Sequence, residues 1–262
     1  MPRQIPKSLL VALFGIAYTA IAISQTPLRI AVAADLEPVL PLILAQFEQA
    51  TGIHAEATFQ ASAVLTTQIQ NGAPFDLFLS ADVSYPKRLI DAGLADAAGS
   101  PDSSTPIVYA RGTLVLWARK DSHLPPPSLN LLRSPDLKRL AIANADRAPY
   151  GRAAVAALTS LKLYETLKPR IVTAENIAQT AQFVDTGNAD AGLISLTSAL
   201  TPRLAADGTY FVLPRDLYPP IEQGAVIISK TTQRPQVHKL LDYLLSEPVQ
   251  SQLAKSGLTP VR

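Results

Sequence analysis

Cysteine is absent from the 262 residues. Disulfides, thiolate catalysis, zinc fingers, iron–sulfur clusters and a lipid anchor on a terminal cysteine are all excluded with it. Histidine is scarce, with His54, His123 and His238 the only three. None of them sits in a nucleophile elbow. No G-x-S-x-G, H-E-x-x-H, Walker A or G-x-G-x-x-G motif occurs, so the usual residues for ester hydrolysis, zinc hydrolysis and nucleotide binding are missing. Asp76 and Asp82 form a carboxylate pair that acid–base chemistry could use, but each reads as a turn or capping residue. An excess of one charge is also lacking: 23 Lys+Arg face 21 Asp+Glu. Two of the cations, Arg3 and Lys7, fall in an N-terminal segment read below as a leader, which leaves 21 of each sign. A neutral chain with scattered charge is a poor binder of nucleic acid. What the chain has is apolar material, 48% of residues against 17% charged, enough for one large domain or two ordinary ones.

Residues 1–26 place a short basic region ahead of an uncharged stretch, 8–24, followed by small residues. That is the layout of a secretory signal peptide, and no basic stop-transfer flank follows it. The expected product is an exported protein, cut from its leader and retained in a periplasm.

Beyond the leader, the run 28–34 suits a buried parallel strand. Leu36, Val39, Leu40, Ile43, Leu44 and Phe47 then recur at helical spacing. Pro38 suits the first turn of that helix, Pro41 must lie near it, and Gly52 is a plausible stop. Strands at 54–59 and 76–80 alternate with helices at 63–70 and 83–92. An extended stretch at 107–118 breaks at Arg111-Gly112. A second alternation follows: strands 140–143, 171–173 and 191–196, with helices 152–161 and 177–186. Strands 210–213 and 221–228 and helices 236–245 and 248–255 close the chain. Alternation of this kind predicts an α/β architecture: parallel or mixed sheets with helices on both faces.

Four strand-to-helix junctions carry small polar residues: Ala33-Ala34-Asp35-Leu36, Gln60-Ala61-Ser62-Ala63, Pro149-Tyr150-Gly151-Arg152 and Glu175-Asn176-Ile177. Helix starts expose N–H donors and a partial positive charge, so several that converge hold an oxyanion without Lys or Arg. In open α/β sheets such sites form beyond the carboxyl ends of the strands. Asp35 and Ser62 can also be plain N-caps.

On these segments the chain resembles the periplasmic molybdate-binding proteins of ABC importers, a type II solute-binding family. The most specific stretch is Asn71-Gly72-Ala73-Pro74-Phe75-Asp76-Leu77-Phe78-Leu79-Ser80-Ala81-Asp82. Phe59-Gln60-Ala61-Ser62, Leu114-Val115-Leu116-Trp117, Ala148-Pro149-Tyr150-Gly151-Arg152 and Ala189-Asp190-Ala191-Gly192 also match, in order, and the likeness spans roughly 28–262. It implies two lobes with a ligand cleft between them: 28–108 and 224–262 in the first, 109–223 in the second. It implies a tetrahedral oxyanion, molybdate and with it tungstate, held by neutral donors at Ala34, Asp35, Ser62, Tyr150, Ile177 and Ser195. It implies no enzyme activity, no cofactor, no directly ligated metal, a monomer, and delivery to an ABC permease.

Asp35 departs from the Ser or Asn usual in that family. An ionised carboxylate about 4 Å from a dianion costs on the order of 4 kcal/mol per unit charge at an effective dielectric near 20. Three outcomes are open: Asp35 caps its own helix, or accepts a hydrogen bond from a protonated oxyanion such as phosphate or arsenate, or contacts the metal centre or another ligand. Arg152 either offsets the charge from within the cleft or is a solvated first-turn residue. The other readings are a different solute, including a small organic anion; a sensor on the same binding fold; and, most remotely, a secreted α/β hydrolase.

Overall fold

The computed structural model describes residues 26–97 and 104–261. The expected leader lies outside them except for Thr26. Strand β1 (Leu28–Ala33) leads through a short 3-10 turn (Ala34–Leu36) into helix α1 (Leu40–Thr51). Then follow β2 (Ala55–Gln60), α2 (Ser62–Gln70), β3 (Leu77–Ser80), α3 (Ser84–Asp91), β4 (Ala95–Asp96) and β5 (Ile107–Gly112). A second run holds β6 (Leu114–Arg119), β7 (Leu140–Ala143), α4 (Pro149–Ser160), α5 (Tyr164–Leu167), β8 (Ile171–Ala174), α6 (Ile177–Asp185) and β9 (Ala191–Ser195). It ends with α7 (Leu196–Ala199), α8 (Pro202–Asp207) and β10 (Gly208–Val212), and the chain closes with β11 (Ile221–Ile228), α9 (Arg234–Leu244) and α10 (Glu247–Lys255).

Two mixed sheets result. The first has the order β2-β1-β3-β11-β4, with β5 also on β11; the second has the order β10-β6-β9-β7-β8. The chain therefore changes sheet twice, once at Thr113 between β5 and β6, once over 213–220 between β10 and β11. Those points lie a few residues from the boundaries 108/109 and 223/224 expected from the sequence. The run 107–118 is extended on both sides of Thr113, and only the break at that residue marks where one sheet ends.

The period-two pattern of buried strands explains the first lobe. Leu28, Ile30 and Val32 of β1, with Leu77 and Leu79 of β3, pack against Leu40, Ile43 and Phe47 of α1 and Leu240 and Leu241 of α9. Ala31, Phe78 and Val226 point the other way, onto Leu65 and Ile69 of α2 and Leu89 of α3. Both faces of the sheet are thus covered, as parallel strands require.

Helix α1 begins later than the apolar spacing suggests. Pro41 would collide with the carbonyl of Glu37 if the helix started a turn earlier, so it begins at Leu40 with Pro41 in its first turn. Pro38, expected inside that first turn, precedes the helix. The short elements β4, α5, α7 and α8 were not read from the sequence, because two to six residues are too few to show a period. Among the described residues no helix is long and apolar enough to cross a membrane.

Candidate functional site

The carboxyl ends of β1 and β2 and the starts of α4 and α6 meet between the two sheets. They line a small, partly open gap of about 10 Å³, bordered by residues 33–35, 60–62, 148–150 and 176–177 together with Ala81. All four junctions read from the sequence are present. No Lys, Arg or His side chain lines this space. Helix geometry leaves the amides of Ser62, Tyr150 and Ile177 without an intrahelical acceptor, because each lies in a first turn. The site is a small pocket walled by neutral donors, with one carboxyl among them.

Ser62 is buried but is not the cap of α2; Ala61 occupies that position. Its Oγ instead accepts a hydrogen bond of 3.1 Å from the amide of Ala81, tying α2 to the end of β3. The hydroxyl proton remains to donate. Asn176 is a true cap: its side chain accepts from Gln179 N at 2.9 Å, which fixes the start of α6 and Ile177 with it.

Tyr150 reaches the pocket because two glycines leave room. A Cβ on Gly151 would lie 2.3 Å from the carbonyl oxygen of Ala143, so α4 can press against the end of β7 only with glycine there. A Cβ on Gly112 would lie 2.2 Å from the Tyr150 hydroxyl. The end of β5, next to the first crossing between the lobes, is therefore also the slot that receives this hydroxyl, which donates to Asp35 Oδ2 at 3.2 Å.

Asp35 is fully buried, and its side chain caps no helix. The capping outcome is thereby replaced by a buried carboxyl facing the second lobe. Its Oδ2 accepts from the Tyr150 hydroxyl and from Gln223 Nε2 of β11. Its Oδ1 has no protein partner, and neither does Gln223 Oε1. Burial pushes the carboxyl up to about 7, with the hydrogen bonds from Gln223 and Tyr150 pulling the other way. Burial and the Asp35 charge together hold the Tyr109 and Tyr150 hydroxyls well above the ordinary tyrosine value, so both keep their protons.

Ser195 does not line the pocket. It caps α7, with its Oγ 2.8 Å from Thr197 Oγ1 and 2.9 Å from Ser198 Oγ. Thr197 Oγ1 donates at 2.7 Å to the carbonyl of Asp35. A serine is too short to extend from the end of β9 into the pocket, so its hydroxyl turns into the start of α7. Ser195 thus stands one residue behind Asp35.

The lobes also meet outside the pocket. Ala63 N donates to the carbonyl of Arg147 at 3.1 Å. Arg152 points away from the cavity. Its guanidinium pairs with Asp82 at 2.5 Å, donates to the Tyr85 hydroxyl at 2.7 Å and lies 5.2 Å from the centre of that ring. Gln223 and the Arg152–Asp82 pair were not singled out as site contacts. The available signal for Gln223 was a polar residue on the Ile221-Gln223-Ala225 face of an otherwise apolar strand.

A larger open depression lies at the opposite end of the first sheet, around Arg29, Phe75, Asp76 and Lys230. Asp76 there is already engaged by the amide of Arg29 at 2.8 Å and the hydroxyl of Thr231 at 2.5 Å, so it braces strands. Among the described residues, no group of three or more His, Cys, Asp or Glu could hold a metal ion.

Comparison with known proteins agrees with this architecture. Residues 28–259 match the bacterial extracellular solute-binding protein family. The molybdate-binding protein of Azotobacter vinelandii is 38% identical over 90% of this chain and 91% of its own length. That of Rhodobacter capsulatus is 35% identical over 87% of this chain and 86% of its own. The solved periplasmic molybdate-binding protein of Azotobacter vinelandii superposes with a TM-score of 0.82 at 28% identity, covering 90% of this chain and all of that one. At 15% identity, the sulfate-binding protein of Mycobacterium tuberculosis shares the fold, with a TM-score of 0.76 over 90% of this chain and 88% of that one. Two α/β lobes that enclose a pocket of neutral donors, with a family match along nearly the whole described chain, place this protein among the bacterial extracellular solute-binding proteins.

Proposed function

We propose that this chain binds molybdate, and tungstate with it, in the cleft between its lobes and delivers the anion to the permease of an ABC importer. The observation that carries the reading is the pocket itself, where three helix starts and the turn after β1 converge without a cationic side chain. A dianion there is stabilised by oriented N–H and O–H dipoles instead of by a counter-ion, which favours a fully deprotonated tetrahedral oxyanion. The two relatives above carry molybdate binding in their names and match along most of their length.

In this reading Ser62 donates its hydroxyl, Ala34, Tyr150 and Ile177 donate amides, and Asp35 closes the first-lobe side. Ser195 supports that side through Thr197 without touching the anion. The protein is a carrier and not a catalyst, it has no cofactor of its own, and it works as a monomer. The leader at 1–26 directs it to the periplasm and is cut away. Ligand entry closes the lobes about the two crossings, and the closed form is the one the permease meets. Isothermal titration with molybdate, tungstate, sulfate, phosphate and arsenate tests the assignment. Saturable heat with the first two and none with sulfate supports it; no heat with molybdate or tungstate rejects it.

A further inference from the structure

Asp35 sets a problem for the pocket it lines. Its Oδ2 is occupied by two donors, the Tyr150 hydroxyl and the Gln223 amide, while its Oδ1 is buried with no partner. An anion entering the cavity brings oxygens that can only accept, so an ionised Asp35 and the anion would repel each other with no donor between them. A proton on Oδ1 removes the repulsion and turns the unpartnered atom into a donor. Oδ2 already accepts from both of its neighbours, so Oδ1 is the oxygen left open to the proton. Tyr150 cannot supply the charge balance either, since its hydroxyl stays protonated and points at Asp35.

The surroundings add no cation that could do the same work. Tyr150 of α4 and Gln223 of β11 bond the Asp35 carboxyl, Thr197 of α7 bonds its carbonyl, and the Tyr109 hydroxyl of β5 feels its charge. The charged residues on elements packed against this turn are engaged elsewhere or exposed. Asp185 of α6 pairs with Arg203, Glu222 of β11 with Arg111, and Arg152 of α4 with Asp82. Glu37, beside the turn, and Glu56 of β2 are exposed.

We propose that this site binds its oxyanion together with one proton, which Asp35 takes up on Oδ1 and donates, as a hydrogen bond, to the anion. The step is a protonation only: one proton leaves water, one O–H bond forms on the carboxyl, and no bond to the anion is made or broken. The proposal rests on the molybdate reading above, because molybdate carries no proton of its own at neutral pH. It makes Asp35 a specificity residue, favouring dianions with acceptor oxygens over hydrogen phosphate or hydrogen arsenate, whose O–H needs an acceptor. Burial already holds the free carboxyl near neutrality, and a dianion next to it raises the proton affinity further.

The experiment is titration of the full mature chain with molybdate from pH 6.5 to 9, in buffers of different ionisation enthalpy, for the wild type and for Asp35→Asn. The slope of heat against buffer enthalpy counts the protons. Proton coupling predicts close to one proton taken up per anion in the wild type at pH 8. It also predicts an association constant that falls by about tenfold for each pH unit above neutrality. Asp35→Asn, which has a permanent donor in place of the carboxyl, loses both effects. Molybdate binding with no proton uptake and a flat pH profile in the wild type overturns the proposal and leaves the molybdate reading intact. An unchanged pH profile in Asp35→Asn likewise overturns it. No molybdate binding at any pH, with tight binding of phosphate or arsenate at pH 8 and no proton uptake, overturns the molybdate reading and this inference with it. If Asp35→Asn fails to fold, the wild-type proton count alone decides.

Discussion

The two walls of the cleft are built differently. The second-lobe wall is fixed: Tyr150 is seated by Gly112 and Gly151, and Ile177 follows a helix start capped by Asn176. Its donors keep their protons across the ordinary pH range. The first-lobe wall has one equally fixed donor, Ser62, braced by the Ala81 amide, and one group whose charge depends on pH, Asp35. One wall is permanently shaped for an anion; the other becomes so when it is protonated.

The largest effect that separates the walls is in the stability of the ligand-free protein. The Asp35 carboxyl sits near 7 when folded and near 3.9 when unfolded, so the folded state holds its proton more tightly. That contribution is complete below about pH 4, is lost as pH rises to about 7 and is flat beyond. Three pH units amount to on the order of 4 kcal/mol. Asp35→Asn should therefore unfold at clearly higher denaturant than the wild type at pH 8, with the gap closing toward pH 4. Parallel denaturation curves at all pH values would mean that the first wall is as fixed as the second.

Next in size is Ser62→Ala, which leaves the buried Ala81 amide unpaired and removes the hydroxyl proposed to donate to the anion. Unfolding titrations should show a loss of about 1–3 kcal/mol with no dependence on pH, and anion affinity should fall as well. Tyr150→Phe removes one hydrogen bond from Asp35. A stability change of about 1 kcal/mol is expected by the same method, together with a further rise of the Asp35 titration, readable by carboxyl-labelled NMR. Arg152→Gln should matter least, because its pair with Asp82 is partly solvated: a stability change within about 1 kcal/mol and, by stopped flow, faster release of the anion.

Much of this was legible in the residues. Apolar runs with period two and helices punctuated by Gly and Pro gave the alternation, and Asn71 to Asp82 with the Ala148 to Arg152 segment gave the family resemblance. The four junctions were legible because a helix start advertises itself locally. The inward turn of Asp35 was not. Its partners Gln223 and Tyr150 lie 188 and 115 residues away, and only the folded topology brings them together. The place of Ser195 was missed for the opposite reason. Its partners are two and three residues on, and that local capping geometry overrode a position carried over from relatives.

Gly112 ends β5 beside the first crossing between the lobes and also sets the space available to the Tyr150 hydroxyl. The closure proposed above turns the chain beside this residue, which would couple shutting of the lobes to the clearance around that oxygen. A larger side chain introduced to stiffen the joint would push the hydroxyl out of place at the same time.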